Sequence, residues 1–239
     1  METEIVNVQE GVKAVLKQLR SRLKAYHEMG TKELLLAPET LKYLDEPLSL
    51  DVSSLTALRH FIGECTRCML SRTRDRLVFG EGSPTARLVF VGEGPGREED
   101  RLGRPFVGEA GKLLDRIIFA MGLTRKDVYI CNVVKCRPPK NRDPKNDEIE
   151  TCIPFLKKQL ELIQPEALCL LGRVAGRALL GPEFTMSRSR GLWREVMGFH
   201  AMPTYHPAYL LRNPSAKRQV WEDVQQIMDR LGLKGNRRG

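Results

Sequence analysis

Four of the six cysteines in this 239-residue chain fall as Cys65-x-x-Cys68 and then, far downstream, Cys136 and Cys152 with fifteen residues between them. A C-x-x-C pair brings two thiolates to one centre from a single turn. A distant second pair completes a four-sulfur set only if the fold returns residues 136 and 152 to the first pair. Such a set suits a [4Fe-4S] cluster or a Zn²⁺ ion. Cys131 and Cys169 are different, because they lie inside the apolar runs DVYICNVV and EALCLLG, where cysteine acts as a small hydrophobe. Cys136 leaves the end of such a run and precedes Arg137-Pro138-Pro139, which continues neither strand nor helix. The expected metal ligands are therefore Cys65, Cys68, Cys136 and Cys152.

Cysteines read as ligands rather than disulfides imply a reducing compartment. The chain opens on Met-Glu-Thr-Glu, without the apolar core of a signal peptide, and contains no apolar run long enough to span a bilayer. A cytoplasmic protein with no membrane partner is expected, associated with the nucleoid in a prokaryote. An apolar fraction of 41% over this length supports one sizeable α/β domain with roughly 60 residues left over at one end. Charge is divided unevenly. Residues 1–64 carry eight Lys/Arg against ten Asp/Glu, so the formal charge of +9 for the whole chain resolves into −2 there and +11 on residues 65–239. A field of that sign favours a polyanion, although a solvated basic surface has the same composition.

Val12, Val15, Leu16, Leu19, Leu23 and Tyr26 mark one face of a helix over about residues 9–28, ending near Gly30, and residues 30–55 read as a linker. From residue 65 strand and helix alternate: strands at 87–92, 127–134 and 167–171, helices at 109–121, 146–163 and 173–180. A strand pair follows near 192–196 and 200–204, and a helix through Val220, Val224, Ile227, Met228 and Leu231 closes the chain. The expected architecture is an α/β fold of three layers, α/β/α, around a central, mostly parallel four-stranded sheet, with residues 1–64 as a helical extension and 65–239 as the main domain. Ligands in such folds bind beyond the carboxyl ends of the strands, which singles out the loops after Gly92, Val134 and Thr204.

The first loop reads Gly92-Glu93-Gly94-Pro95-Gly96, then Arg97-Glu98-Glu99-Asp100 and Gly103-Arg104-Pro105-Phe106-Val107-Gly108. A dinucleotide fingerprint would need its third glycine where Arg97 stands, so that reading fails. What remains is backbone free to approach a planar or anionic ligand, with Phe106 either stacked on it or anchoring the loop. The second loop, Asn132-Val133-Val134-Lys135-Cys136-Arg137-Pro138-Pro139, puts a costly amide at a strand end beside a proposed ligand cysteine. The third, Tyr205-His206-Pro207-Ala208-Tyr209-Leu210-Leu211-Arg212-Asn213-Pro214, supplies a histidine, two tandem leucines and an arginine.

GEGPGREED, GRPFVGEAG, NVVKCRPP and YHPAYLLRNP, in this order and with this cysteine spacing, resemble the family 4 uracil-DNA glycosylases, the iron-sulfur branch of the uracil-DNA glycosylase superfamily. The likeness runs from residue 65 to about 231. It implies a hydrolase that cleaves the N-glycosidic bond of uracil in single- or double-stranded DNA, initiating base excision repair, with a [4Fe-4S] cluster on the four cysteines named above. By resemblance, Phe106 stacks on the flipped base, Asn132 reads its O4 and N3–H edge, Gly92, Glu93 and Gly94 help hold the ring, and His206 lies at O2. Leu210, Leu211 and Arg212 fill the gap left in the DNA stack. Glu99 crowds C5, where thymine carries its methyl. Glu93 is the first candidate to position water or stabilise the sugar cation, because Gly94 stands where family 1 has an aspartate, and Glu99 is the second. A related branch bonds covalently to DNA through a histidine in an insert after the NVVK-like motif. Here Lys135 runs straight into CRPPKNRDP, so plain hydrolysis by a monomer is expected, with the N-terminal extension free to meet a replication or repair partner. A DNA-binding redox sensor and a zinc protein with the same thiolates are the competing readings.

Overall fold

The computed structural model describes residues 52–236. The helix expected over 9–28, and with it the partner contact assigned to the N-terminal extension, lies outside the described residues. In chain order the elements are α1 (Leu55–Ile62), β1 (Glu81–Gly82), β2 (Leu88–Gly92), α2 (Arg97–Leu102), α3 (Glu109–Ala120), β3 (Tyr129–Asn132), α4 (Asn146–Ile163), β4 (Ala167–Leu171), α5 (Arg173–Leu180), α6 (Met186–Ser189), β5 (Arg194–Val196), β6 (Phe199–Thr204), α7 (Pro207–Arg212) and α8 (Lys217–Leu231).

The sheet has six strands, in the order β1-β3-β2-β4-β6-β5, rather than the four expected. The central four are parallel, and short antiparallel strands close both edges. The apolar runs fixed this centre. Every residue of β2 and β4 is buried, as a strand covered on both faces requires. Alternate residues then point to opposite layers. Val89, Val91, Cys131, Leu168 and Leu170 pack with Leu58, Leu156 and Ala175 from α1, α4 and α5. Leu88, Phe90, Ile130, Cys169 and Leu171 pack with Leu114, Leu210 and Val224 from α3, α7 and α8.

One compact unit holds the whole sheet. Helix α1 belongs to that unit: Ser54 caps it by accepting the Ala57 amide hydrogen at 3.1 Å, and Leu58 and Ile62 are buried in the core that contains Cys136 and Cys152. Among the described residues no helix is long and apolar enough to cross a membrane.

Chain order places the site. After β2 the chain adds β3 on one side, and after β3 it returns to add β4 on the other. The loops leaving β2 and β4 therefore diverge, and the crevice between them is the natural ligand position of an open parallel sheet.

Candidate active site

A cleft of about 420 Å³ opens at this crevice, walled by the loops that follow β2, β3 and β6. At its floor Asn132, the last residue of β3, pairs in register with Gly92, the last residue of β2. Asn132 is 1% exposed, and neither its Nδ2 nor its Oδ1 has a hydrogen-bond partner. A buried amide left with both ends unmet costs about 1–3 kcal/mol per group unless a ligand completes it. Gly92 provides the room. A Cβ at position 92 would collide with Asn132 Oδ1 and stand 2.6 Å from Phe106 Cζ.

Phe106 closes one face of the cleft, and its backbone is held in the left-handed region at φ 52°. Four consecutive backbone groups are clamped to keep it there. Arg125 donates to the Pro105 carbonyl at 2.6 Å and to the Phe106 carbonyl at 3.0 Å, while Glu99 Oε1 accepts the amide hydrogens of Val107 and Gly108, both at 2.9 Å. Arg125 is itself fixed by Glu81 at 2.7 Å and Asp115 at 2.8 Å. Helix α3 begins immediately beneath, and a Cβ on Gly111 would overlap the Phe106 carbonyl. Glu99 therefore reaches the cleft as the brace of the Phe106 loop, an arrangement the sequence did not reveal. Arg125, nineteen residues from Phe106, gave no signal at all.

His206 lies against Phe106, with ring centroids 5.5 Å apart and planes inclined by 29°. It caps α7, and its Nδ1 accepts the Ala208 amide hydrogen at 3.1 Å. The ring proton of the neutral form is thereby assigned to Nε2. Burial, with a contribution from the Arg212 charge, pulls the imidazole down to about 4 against the opposing influence of Glu99. At neutral pH the group is an uncharged N–H donor. Gly172, after β4, allows this approach: a Cβ there would stand 3.0 Å from that of His206.

Glu93 lines the cleft beside Gly94. Burial, reinforced by the negative charge of Asp143 and eased by Arg173, raises its carboxyl to about 7. Asp143 is ion-paired with Arg173 and belongs to the segment after Pro138 that forms the far wall. Arg142 anchors that wall through two hydrogen bonds to the buried Glu148, at 2.8 and 2.6 Å. The sequence marks this segment by its cysteine and by the missing insert, and nothing in it singles out Asp143.

On the rim, Arg212 and Tyr209 line the cleft. The tandem leucines separate: Leu211 is 43% exposed, whereas Leu210 is 1% exposed and packs in the core. Entry of Leu210 into a DNA stack, as the resemblance implies, would open the core under α7.

Cys65, Cys68, Cys136 and Cys152 line one cavity on the opposite side of β3, together with Ile62, Arg74, Lys135 and Phe155. Cys131 and Cys169 stay in the strands, and none of the six is in a disulfide. Three of the four cavity sulfurs receive hydrogen bonds: Cys65 from Arg67 at 3.3 Å, Cys136 from Arg74 at 3.2 Å and Cys152 from the Lys135 amide at 3.3 Å. Burial pushes Cys136 up to about 12 and Cys152 up to about 11. Thiolates in such a place need cationic ligands, and nearby donors suit sulfur that carries charge. Among the described residues no three His, Cys, Asp or Glu side chains are grouped to hold a single ion. Lys135 joins this region to the cleft, because its buried Nζ donates to the Asn132 carbonyl at 2.8 Å and to Gln159 Oε1 at 2.5 Å.

A family model described as the uracil DNA glycosylase superfamily matches residues 79–225. The chain is 46% identical to a type-4 uracil-DNA glycosylase of Thermotoga maritima, across 73% of this chain and 93% of that protein. It is 42% identical to the type-4 uracil-DNA glycosylases of Sulfurisphaera tokodaii, across 74% and 85% of the two chains, and of Archaeoglobus fulgidus, across 77% and 96%. The matched span contains Gly92, Asn132 and His206 and so carries the whole floor of the cleft. The chain belongs to the uracil-DNA glycosylase superfamily, among the type-4 enzymes.

Proposed function

We propose that the chain hydrolyses the N-glycosidic bond of deoxyuridine in DNA and releases uracil, opening base excision repair. The observation that carries this reading is the orphaned amide of Asn132, buried at the floor of a cleft whose other walls are an aromatic ring and a neutral imidazole donor. Uracil presents a carbonyl acceptor at O4 and a donor at N3–H, which one amide satisfies with Nδ2 and Oδ1 respectively. Cytosine presents the reverse pattern and leaves both atoms unmet when the amide is held in the orientation that meets uracil. The target must leave the duplex to reach such a floor, and Phe106 offers it a ring to stack on.

Cleavage of the C1′–N1 bond moves negative charge onto uracil O2 and positive charge onto the sugar. His206 Nε2–H is the donor for O2. Because the imidazole is neutral and already held by Ala208, it stabilises that charge without reorganising, an effect worth roughly 10²- to 10³-fold. Glu93 is our candidate for orienting water and balancing the sugar cation. Its raised affinity for protons makes it a competent base near neutral pH. Glu99, whose Oε1 is committed to two backbone amides, is the second candidate. Leu211 and Arg212 are left to meet the DNA at the rim. The lining Pro138–Asp143 contains no histidine, which supports hydrolysis without a covalent enzyme–DNA intermediate.

We further propose that Cys65, Cys68, Cys136 and Cys152 hold a [4Fe-4S] cluster. When bound it supplies metal–sulfur bonds that tie three distant segments together. The likeness to type-4 uracil-DNA glycosylases favours it over zinc. The decisive experiment is an assay of purified protein on oligonucleotides carrying one uracil, in single and double strands, with cytosine and thymine controls. Alkali-labile sites at uracil alone are expected. DNA binding without base release would return the chain to the class of DNA-binding sensors.

A further inference from the structure

Helix α7 turns Tyr209 outward at the cleft rim, and the ring is mounted rather than loose. It lies on Tyr205 with centroids 4.8 Å apart and planes 28° apart. The Arg190 guanidinium also lies over the Tyr205 ring, 5.7 Å from its centroid. Arg190 is locked in turn, donating to Asp223 Oδ1 at 2.6 Å and to the Gln219 carbonyl at 2.9 Å. Asp223 is 1% exposed and accepts a second hydrogen bond from Thr204, at the end of β6, at 2.5 Å. Tyr209, Tyr205 and Arg190 thus form a column of contacts that links the surface to the buried Asp223 at the end of β6. Among the described residues no aromatic or cationic side chain covers the outer face of Tyr209, which is 39% exposed.

The position of the column matters as much as its rigidity. Tyr209 lines both the base cleft and an adjoining open groove of about 460 Å³ that also borders Ser215, Arg218 and Gln219. A strand with one nucleotide in the cleft must carry its next nucleotide across this shared wall. A preorganised ring with a free face offers that neighbour a stacking surface at little ordering cost, and every base has a face to place on it.

Building on the proposed glycosylase activity, we infer that Tyr209 forms a subsite for the nucleobase next to the extruded uracil on the same strand, with the backbone passing over the groove beside Arg218. The subsite is tolerant of sequence, and it serves most where stacking on a complementary strand has been lost, as in single-stranded DNA.

The test uses single-stranded oligonucleotides with one deoxyuridine and 2-aminopurine at the 5′ or the 3′ neighbour, whose fluorescence is quenched by stacking. At one of the two positions wild-type protein should quench the probe. Tyr209→Ala should abolish the quench and raise KM about tenfold, and Tyr209→Phe should restore both. Replacing that neighbour by an abasic tetrahydrofuran should raise the wild-type KM by the same factor and leave Tyr209→Ala unaffected. Uracil release with equal quenching in wild type and Tyr209→Ala, or a KM that ignores the neighbouring base, overturns the subsite alone. Absence of uracil release by wild type overturns the activity beneath it as well.

Discussion

The Nδ1 atom of His206 accepts the Ala208 amide hydrogen at 3.1 Å, so the proton that faces the cleft sits on Nε2. One backbone contact fixes which end of the imidazole can donate. The rest of the ring's behaviour follows from burial, which holds it neutral down to about pH 4.

The pH profile should therefore show Glu93 and not His206. With its carboxyl raised to about 7, Glu93 should produce an acid limb in kcat/KM with a midpoint near that value. Glu93→Gln should flatten the limb and lower the rate by about 10²-fold. His206, lowered from 6.5 to about 4, resists protonation when folded but not when unfolded. Its contribution to stability is full above about pH 6.5 and is lost as pH falls towards 4. Nitrogen-15 NMR of the ring should report an Nε2–H tautomer throughout the active range. A histidine titrating near 6.5 would remove the neutral donor from the mechanism.

Asn132→Asp should cost at least about tenfold in kcat/KM on uracil, because an ionised oxygen then faces O4 where an N–H stood. The fold should survive, since neither amide atom bonds to the protein. Release of cytosine at low pH, where the new carboxyl is protonated, would be the matching gain. Unchanged uracil kinetics in a folded variant would put base recognition elsewhere.

Arg125→Met leaves the Pro105 and Phe106 carbonyls without their donor. KM should rise about tenfold as the stacking ring loses its posture, with a loss of stability of about 1–3 kcal/mol. Arg125→Lys, which cannot span both carbonyls and Glu81 together, should recover only part. An unchanged KM would mean that Phe106 keeps its conformation without this clamp.

Iron content should separate the cysteines. Cys131→Ala and Cys169→Ala should keep it, and Cys136→Ala or Cys152→Ala should lose it, read by iron assay and by visible absorption of anaerobically purified protein. Stoichiometric zinc in the wild type would replace the cluster with a single ion.

Regular, buried elements were legible in advance. The strand 167–171 and the helices 146–163 and 173–180 were read at their observed bounds, because continuous or periodic apolar runs leave little choice of face. Strand β1 was not, since Glu81-Gly82 is two residues long and has no pattern to read. The floor of the cleft was also legible, its residues lying in short contiguous motifs. What escaped depends on geometry that no local pattern encodes. Adjacent residues on a helix point about 100° apart, so Leu210 entered the core and Leu211 did not, although the sequence treats them alike. Arg125 and Asp143 meet the site only through the fold, and Glu99 turned to backbone amides that a sequence does not display.

Gly111 gives the site a genetic exposure. A Cβ at this position would overlap the Phe106 carbonyl, so glycine alone fits. All glycine codons begin with two guanines, and any change of either base that still encodes an amino acid installs a side chain. The cytosines opposite those guanines are the bases that deaminate to uracil. Left unrepaired, either one turns the codon towards serine, arginine, aspartate or glutamate. Under the proposed activity, the lesion this protein removes can, in its own gene, disable the loop that recognises it. A lineage that loses repair transiently would thus be at risk of losing it permanently.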